Sequence, residues 1–251
     1  MSVLADVDGT VDRRLLLNFR VDPDIAGRLV PPPFRLNVSK GAAIAGICLI
    51  RLTELRPHGI PRAFGITTES AAHRFAVEWD TEDHDDGGHG VYIPRRETNS
   101  RLSVLLGGRA FPGEHHRARF DVSEDNRRFE IALQSADGSN RVSVTARPDH
   151  ELPSHSIFRD VEEASEFFRR DTLGYSRTRE AGCYDGLELQ AAQWHIDPLA
   201  VDDVTSSFFD DPSIFPPGTV EFDCALSMRR TRARWLSRPQ LRCSAQSAVS
   251  S

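Results

Sequence analysis

The chain reads as an α+β protein, mainly antiparallel β, on three observations. From Ala118 to Arg147, three alternating segments (Ala118–Val122, Arg128–Gln134, Arg141–Ala146) are separated by Ser-Glu-Asp-Asn and Asp-Gly-Ser-Asn turns. That pattern predicts an antiparallel meander. Ala43 to Leu55 is an isoleucine-rich apolar run that predicts a buried strand. Stretches with helical periodicity are few and short.

In chain order, Leu15 to Val21 predicts a strand entering a short helix. Asp22 caps that helix and Pro23 occupies its first turn, where the missing N–H is harmless. Ile25, Ala26 and Leu29 give it an apolar stripe, and Pro31-Pro32-Pro33 ends it. After the Ala43–Leu55 strand, residues 56–61 form a turn. Ser70 to Trp79 predicts a strand with Phe75, Val77 and Trp79 on one face, and places His73 opposite Arg74. At most one of that pair is then expected to face an interior.

Residues 81–90 read as an acidic loop. Gly90 to Ile93 resumes a strand, and Asn99 is placed to cap a helix carrying Leu102, Leu105 and Leu106 that stops at Gly107-Gly108. Val161 to Arg170 is an amphipathic helix, with further strands around Gly186–Trp194 and Thr219–Met228. No internal repeat or linker divides the chain. The expected organisation is a flexible N-terminus at 1–14, a single domain at 15–236 and a loose tail at 237–251.

The 251 residues carry a net charge of −6, which argues against nucleic acid as partner. The longest apolar stretch, Ala42 to Ile50, is far short of the roughly 20 residues a membrane span needs. No secretory signal is visible, and Cys48, Cys183, Cys224 and Cys243 show no C-x-x-C spacing. A cytoplasmic protein with reduced thiols, no membrane partner and no cofactor is the expectation. A homo-oligomer stays open. Lysine occurs once, at Lys40, against a high arginine content. Arginine stays protonated and cannot form a Schiff base.

Asp6-Val7-Asp8-Gly9-Thr10 spells the D-x-D-G-T that opens haloacid-dehalogenase-type phosphatases. That chemistry belongs to a parallel sheet with alternating helices, whereas this chain reads as antiparallel. The phosphatase is the lesser alternative.

A wider pattern covers residues 15–232. Asn18-Phe19-Arg20-Val21-Asp22-Pro23 and Leu29-Val30-Pro31-Pro32-Pro33-Phe34 are followed in order by Arg56-Pro57-His58-Gly59-Ile60-Pro61, Gly90-Val91-Tyr92, Arg109-Ala110-Phe111-Pro112, Phe167-Phe168-Arg169-Arg170 and Trp194-His195. The chain thereby resembles the acetoacetate decarboxylase-like superfamily, and its conserved branch of unknown function more closely than the decarboxylases. The resemblance implies a cone-like antiparallel β-barrel with a few flanking helices and a central pocket for a small-molecule ligand. In the decarboxylase a lysine pair follows an "A-Y-P" step; here Gly113-Glu114 follow Ala110-Phe111-Pro112. Glu54 falls near a pocket glutamate of that enzyme, and the second pocket carboxylate has no counterpart in Ala45-Gly46-Ile47.

The expected function is binding of a small carbonyl- or carboxylate-bearing molecule, with or without catalysis. Glu54, Glu114 and His116 are the catalytic candidates. Arg109, His115, His116, Glu69 and Trp194 are the ligand-binding candidates, since arginine grips carboxylates and histidine moves protons near neutral pH. Lys40 is expected to be a solvated loop residue. His84 and His89 have the ligand types for a metal, but a loop this polar is expected to be solvated, so no metal is assigned.

Overall fold

The computed structural model describes residues 6–80, 87–106 and 113–243. Its strands are β1 (Val7–Val21), β2 (Arg35–Leu36), β3 (Val38–Ser39), β4 (Ala42–Pro57), β5 (Ile66–Trp79), β6 (Gly88–Thr98), β7 (His115–Glu124), β8 (Phe129–Ser135), β9 (Arg141–Pro148), β10 (Leu173–Arg177), β11 (Cys183–Ala191), β12 (Asp197–Ser206) and β13 (Val220–Arg242). The helices are α1 (Pro23–Gly27), α2 (Arg101–Leu106) and α3 (Val161–Arg170). The expected meander is β7–β8–β9. Asp22 caps α1 through its carboxylate, 2.8 Å from the Asp24 N–H. At α2 the capping hydroxyl comes from Ser100, not Asn99. Asn99 instead accepts the Glu69 backbone N–H at 3.0 Å.

The strands close two rings that share a wall. One ring runs β1–β4–β5–β6–β10–β11–β13 and back to β1. The other leaves β6 through β7, β8, β9 and β12 and rejoins the wall at β13. Pairing is antiparallel except where β6 meets β10 and β7. The shared strands β1, β4 and β5 therefore have a core on each side. Leu15, Leu17, Ala45, Ile47, Phe75 and Val77 face the second ring, among Phe129, Ile131 and Val144. Leu16, Ile44 and Ala76 face the first, where Phe168 of α3 also packs. No helix among the described residues is long and apolar enough to cross a membrane.

Two expected boundaries are corrected. From Val7 onward the supposed flexible N-terminus is part of β1, hydrogen-bonded on both edges to β4 and β13, with Val11 wholly buried. Ser237 to Arg242, expected in the loose tail, extend β13 along β11. In the first stretch the buried Arg13, and in the second the run Ser237-Arg238-Pro239-Gln240, interrupt the apolar period, so composition hid both strands. The D-x-D-G-T motif also has an ordinary explanation. Asp6 accepts the Ser237 N–H at 3.0 Å. Asp8 lies 2.8 Å from the Arg234 guanidinium and 2.9 Å from the His58 ring, and despite some desolvation both partners hold its carboxyl below the usual carboxylate range.

Sharing strands between two cores buries charge. Arg13, Arg51 and Glu69 stand in one row across β1, β4 and β5. Arg13 is wholly buried; it donates to Glu69 at 2.5 Å and to Glu124 of β7 at 2.9 Å. Arg51 donates to the same two carboxylates, at 2.5 Å each. Each charge thus has two partners, the condition under which buried ions are tolerated. Removing one leaves another uncompensated, so Glu69→Ala is expected to cost about 3–5 kcal/mol in urea unfolding. A loss under about 1 kcal/mol, the range of exposed pairs, would show the network to be solvated.

Candidate functional site

The first ring encloses a cavity of about 170 Å³. Its wall is apolar toward β4, β11 and β13, where Ile50, Leu52, Leu189 and Trp235 line it, and strongly polar toward β5 and β6. The polar side is built by strand register. Leu16, Cys48, Ala72, Arg96 and His115 form one row across β1, β4, β5, β6 and β7. Arg74 stands two residues beyond Ala72 in the same strand, so it shares that face. Arg14, Arg74 and Arg96 all line the cavity.

Arg74 is only 4% exposed. Its Nη2 donates to Asn18 Oδ1, and its guanidinium lies 4.8 Å from the Phe168 ring centroid, which fixes the plane of the fork. Gly46 makes this approach possible, since a Cβ there would lie 2.4 Å from the Leu17 carbonyl oxygen and crowd the Asn18–Arg74 bond. Arg74 Nε has no hydrogen-bond partner. Arg96 donates Nε to Ser176 Oγ at 2.7 Å. Burial pulls both arginines down to about 10, which leaves them cationic at neutral pH. Arg14 lies 6.0 Å from the Trp194 ring centroid, and its Nη1 is buried without a partner.

Against these cations stands, among the described residues lining the cavity, one carboxylate, Asp171, at the C-terminal cap of α3. Burial pushes it up to about 7, although Arg74 and Arg170 pull the other way. Asp171 also lines an outer groove beside α3, where His89 Nδ1 lies 3.4 Å from its Oδ1. Its other oxygen is buried without a partner. His115 is held down to about 3 by burial and by the Arg96 charge, so it is a neutral imidazole at physiological pH. Cavities that combine apolar walls with a few convergent, perturbed polar groups are the usual form of a small-molecule site.

Of the candidates from sequence, His115 alone among the described residues lines this cavity. His116 alternates to the other face of β7, and Glu114 is directed to Arg179 at 4.0 Å. Glu54 lies in a bulge with φ 54°, where its carboxylate meets Thr10 and Arg62 outside the ring. Glu69 faces the second ring, in the ion network. Trp194 is held by Ser165 of α3 at 3.1 Å and reaches the site only through Arg14. Arg109 and His84 lie outside the described residues. Lys40 is outside the cavity, bonded to the Ile157 carbonyl at 2.7 Å and to Glu163 at 2.8 Å. Arg14, Arg96 and Asp171 were not anticipated. Their only signal is a charge at a period-2 position or just after an amphipathic helix, which does not separate an inward residue from a solvated one.

The model of the DUF2071 family, uncharacterized conserved proteins, matches residues 9–222. No curated protein sequence matches the chain. Among solved structures, the enduracididine biosynthesis enzyme MppR, complexed with the condensation product of pyruvate and imidazole 4-carboxaldehyde, is similar at a TM-score of 0.60 and 14% identity, covering 98% of this chain and 92% of that one. The acetoacetate decarboxylase of Legionella pneumophila subsp. pneumophila str. Philadelphia 1 gives 0.58 and 11% over 98% and 90%. An acetoacetate decarboxylase-like enzyme from Sphingomonas wittichii RW1 gives 0.56 and 10% over 97% and 94%.

Asp171 makes stability depend on pH with a defined sign. Its pKa rises from 3.8 to about 7 on folding, so the native state keeps a proton that the unfolded chain releases within that window. Its contribution therefore falls as pH rises from 4 to 7. Asp171→Asn, measured by urea unfolding across that range, is expected to gain on the parent by about 3–4 kcal/mol between the two ends. A difference independent of pH would mean that Asp171 is already ionised throughout, paired with Arg74.

Proposed function

The chain belongs to the DUF2071 family, within the acetoacetate decarboxylase-like superfamily, and we propose that its barrel cavity binds a small carboxylate-bearing molecule with a carbonyl group. The observation that carries this reading is the set of inward arginines with unsatisfied N–H groups. Arg14 Nη1 and Arg74 Nε are buried and unpartnered, a state that a native fold retains at a cost unless something completes the bonds. A planar carboxylate accepts from guanidinium forks in the required geometry. The cavity volume of about 170 Å³ suits a metabolite of a few carbons, not a nucleotide cofactor.

Binding would place the ligand beside Asp171 and His115. Asp171, with a pKa of about 7, can hold or release a proton at working pH. The neutral His115 can hydrogen-bond a carbonyl oxygen without adding charge. A carboxyl that titrates near neutral pH and a neutral imidazole beside one anion pocket favour acid–base catalysis over passive binding. Schiff-base chemistry is not part of the proposal, because Lys40 is the one lysine in the sequence and its ammonium is engaged by Glu163 outside the barrel.

Calorimetric titration with short 2-oxo and 3-oxo carboxylates checks the reading. Arg96→Met is expected to weaken binding roughly ten- to a hundredfold, the loss of one charge-assisted hydrogen-bond pair, with little loss of melting temperature. Incubation with acetoacetate and borohydride should leave no reduced adduct on Lys40. Unchanged affinity in Arg96→Met, or an adduct at Lys40, would contradict the proposal.

A further inference from the structure

Among the described residues that line the cavity, Cys48 is the one soft nucleophile. Cys48 stands in the row Leu16–Cys48–Ala72–Arg96–His115. Its direct neighbour toward β6 is Ala72, whose side chain is a methyl, so little fills the space between the thiol and Arg96. Neighbouring strands are about 4.8 Å apart, which puts the Arg96 backbone two strand spacings away, within reach of its own long side chain. Arg74 lies on the same side, diagonally across from Cys48, two residues along β5 from Ala72. Cys48 interacts electrostatically with both guanidinium groups. It is partly exposed and lines the cavity, whereas Cys183 and Cys224 are buried at 2% and 0%. Arg74, itself 4% exposed with Nε unpartnered, supplies an independent sign that an anion belongs beside this thiol.

We infer that Cys48 is a covalent attachment site for small anionic electrophiles, and that a 2-oxo carboxylate adds to it as a hemithioketal. The inference rests on the anion-binding reading above. With the ligand carboxylate on Arg74 and Arg96, the adjacent carbonyl carbon lies next to the thiol. The sulfur lone pair forms the S–C bond, the carbonyl π pair moves to oxygen, and the proton lost by the thiol ends on that oxygen. Nothing is oxidised or reduced and no group leaves, so the adduct forms reversibly.

Iodoacetate and iodoacetamide separate guidance by charge from simple exposure. They alkylate sulfur by the same displacement of iodide and differ in one carboxylate. The native full chain is treated with each, and alkylation of the Cys48 peptide is followed by mass spectrometry. The same peptide in urea-unfolded protein serves as reference. The iodoacetate-to-iodoacetamide rate ratio at native Cys48 is expected to exceed the unfolded ratio by about tenfold or more, one charge-assisted contact expressed as a rate. Arg96→Gln should bring it back toward the reference. With pyruvate labelled with carbon-13 at the carbonyl carbon, a new tetrahedral-carbon NMR signal should form on the parent protein and be absent from Cys48→Ala. If carboxylates bind by calorimetry but Cys48 resists both reagents, or reacts at the unfolded ratio, the covalent site is wrong and the anion pocket stands. If no carboxylate binds and no charge preference is seen, both fall.

Discussion

The constraint on which this molecule depends is a wall of strands with a hydrophobic core on each face. A sheet solvated on one side can send every second residue into water. Strands β1, β4 and β5 cannot, because they belong to both rings. Every polar side chain along them must find a partner, and most do. Arg13, Arg51, Glu69 and Glu124 pair with one another, and Arg13 Nε alone of that group is left without a partner. Glu97, wholly buried on β6, is held by Arg95 and by Asn140 at 2.7 Å each. These networks stitch the second ring to the shared wall.

On the opposite face the same rule is broken in one place. Arg74 and Arg96 project into a cavity where Asp171 is the single carboxylate among the described lining residues, so positive charge exceeds negative among them. Apolar walls lower the effective dielectric and strengthen the attraction for an anion relative to water. The same low dielectric raises Asp171 to about 7 and keeps His115 neutral. Excess cation, a protonatable carboxyl and a neutral imidazole therefore share one physical cause, burial inside a narrow barrel. α3 contributes at both levels, because Phe168 stacks on Arg74 while the end of the helix delivers Asp171.

The meander, the capped first helix, the Val161–Arg170 helix and the long buried strand β4 were legible in the sequence because each rests on local period or punctuation. The ring closure was not. The β6–β10 and β11–β13 pairings join segments far apart in sequence, and no local pattern announces them. The site suffered for the same reason. Alternation correctly set His73 and Arg74 on opposite faces. The expectation that only one could be interior assumed a solvated side, and both are buried, at 2% and 4% exposure. Glu54 and Glu114 were chosen by position relative to the decarboxylase pattern, and a bulge and an outward turn carry them away from the cavity. Asp171 follows a helix whose amphipathic period says nothing about the residue just beyond its end.

The most direct measurement is a crystal structure of the protein grown with pyruvate. The expected result is density for the carboxylate between the Arg74 and Arg96 guanidinium groups, with the carbonyl carbon toward Cys48 and Asp171. Pyruvate bound only outside the barrel, in the groove beside α3 or near Glu54 and Arg62, with the Arg74 and Arg96 forks facing water, would contradict it.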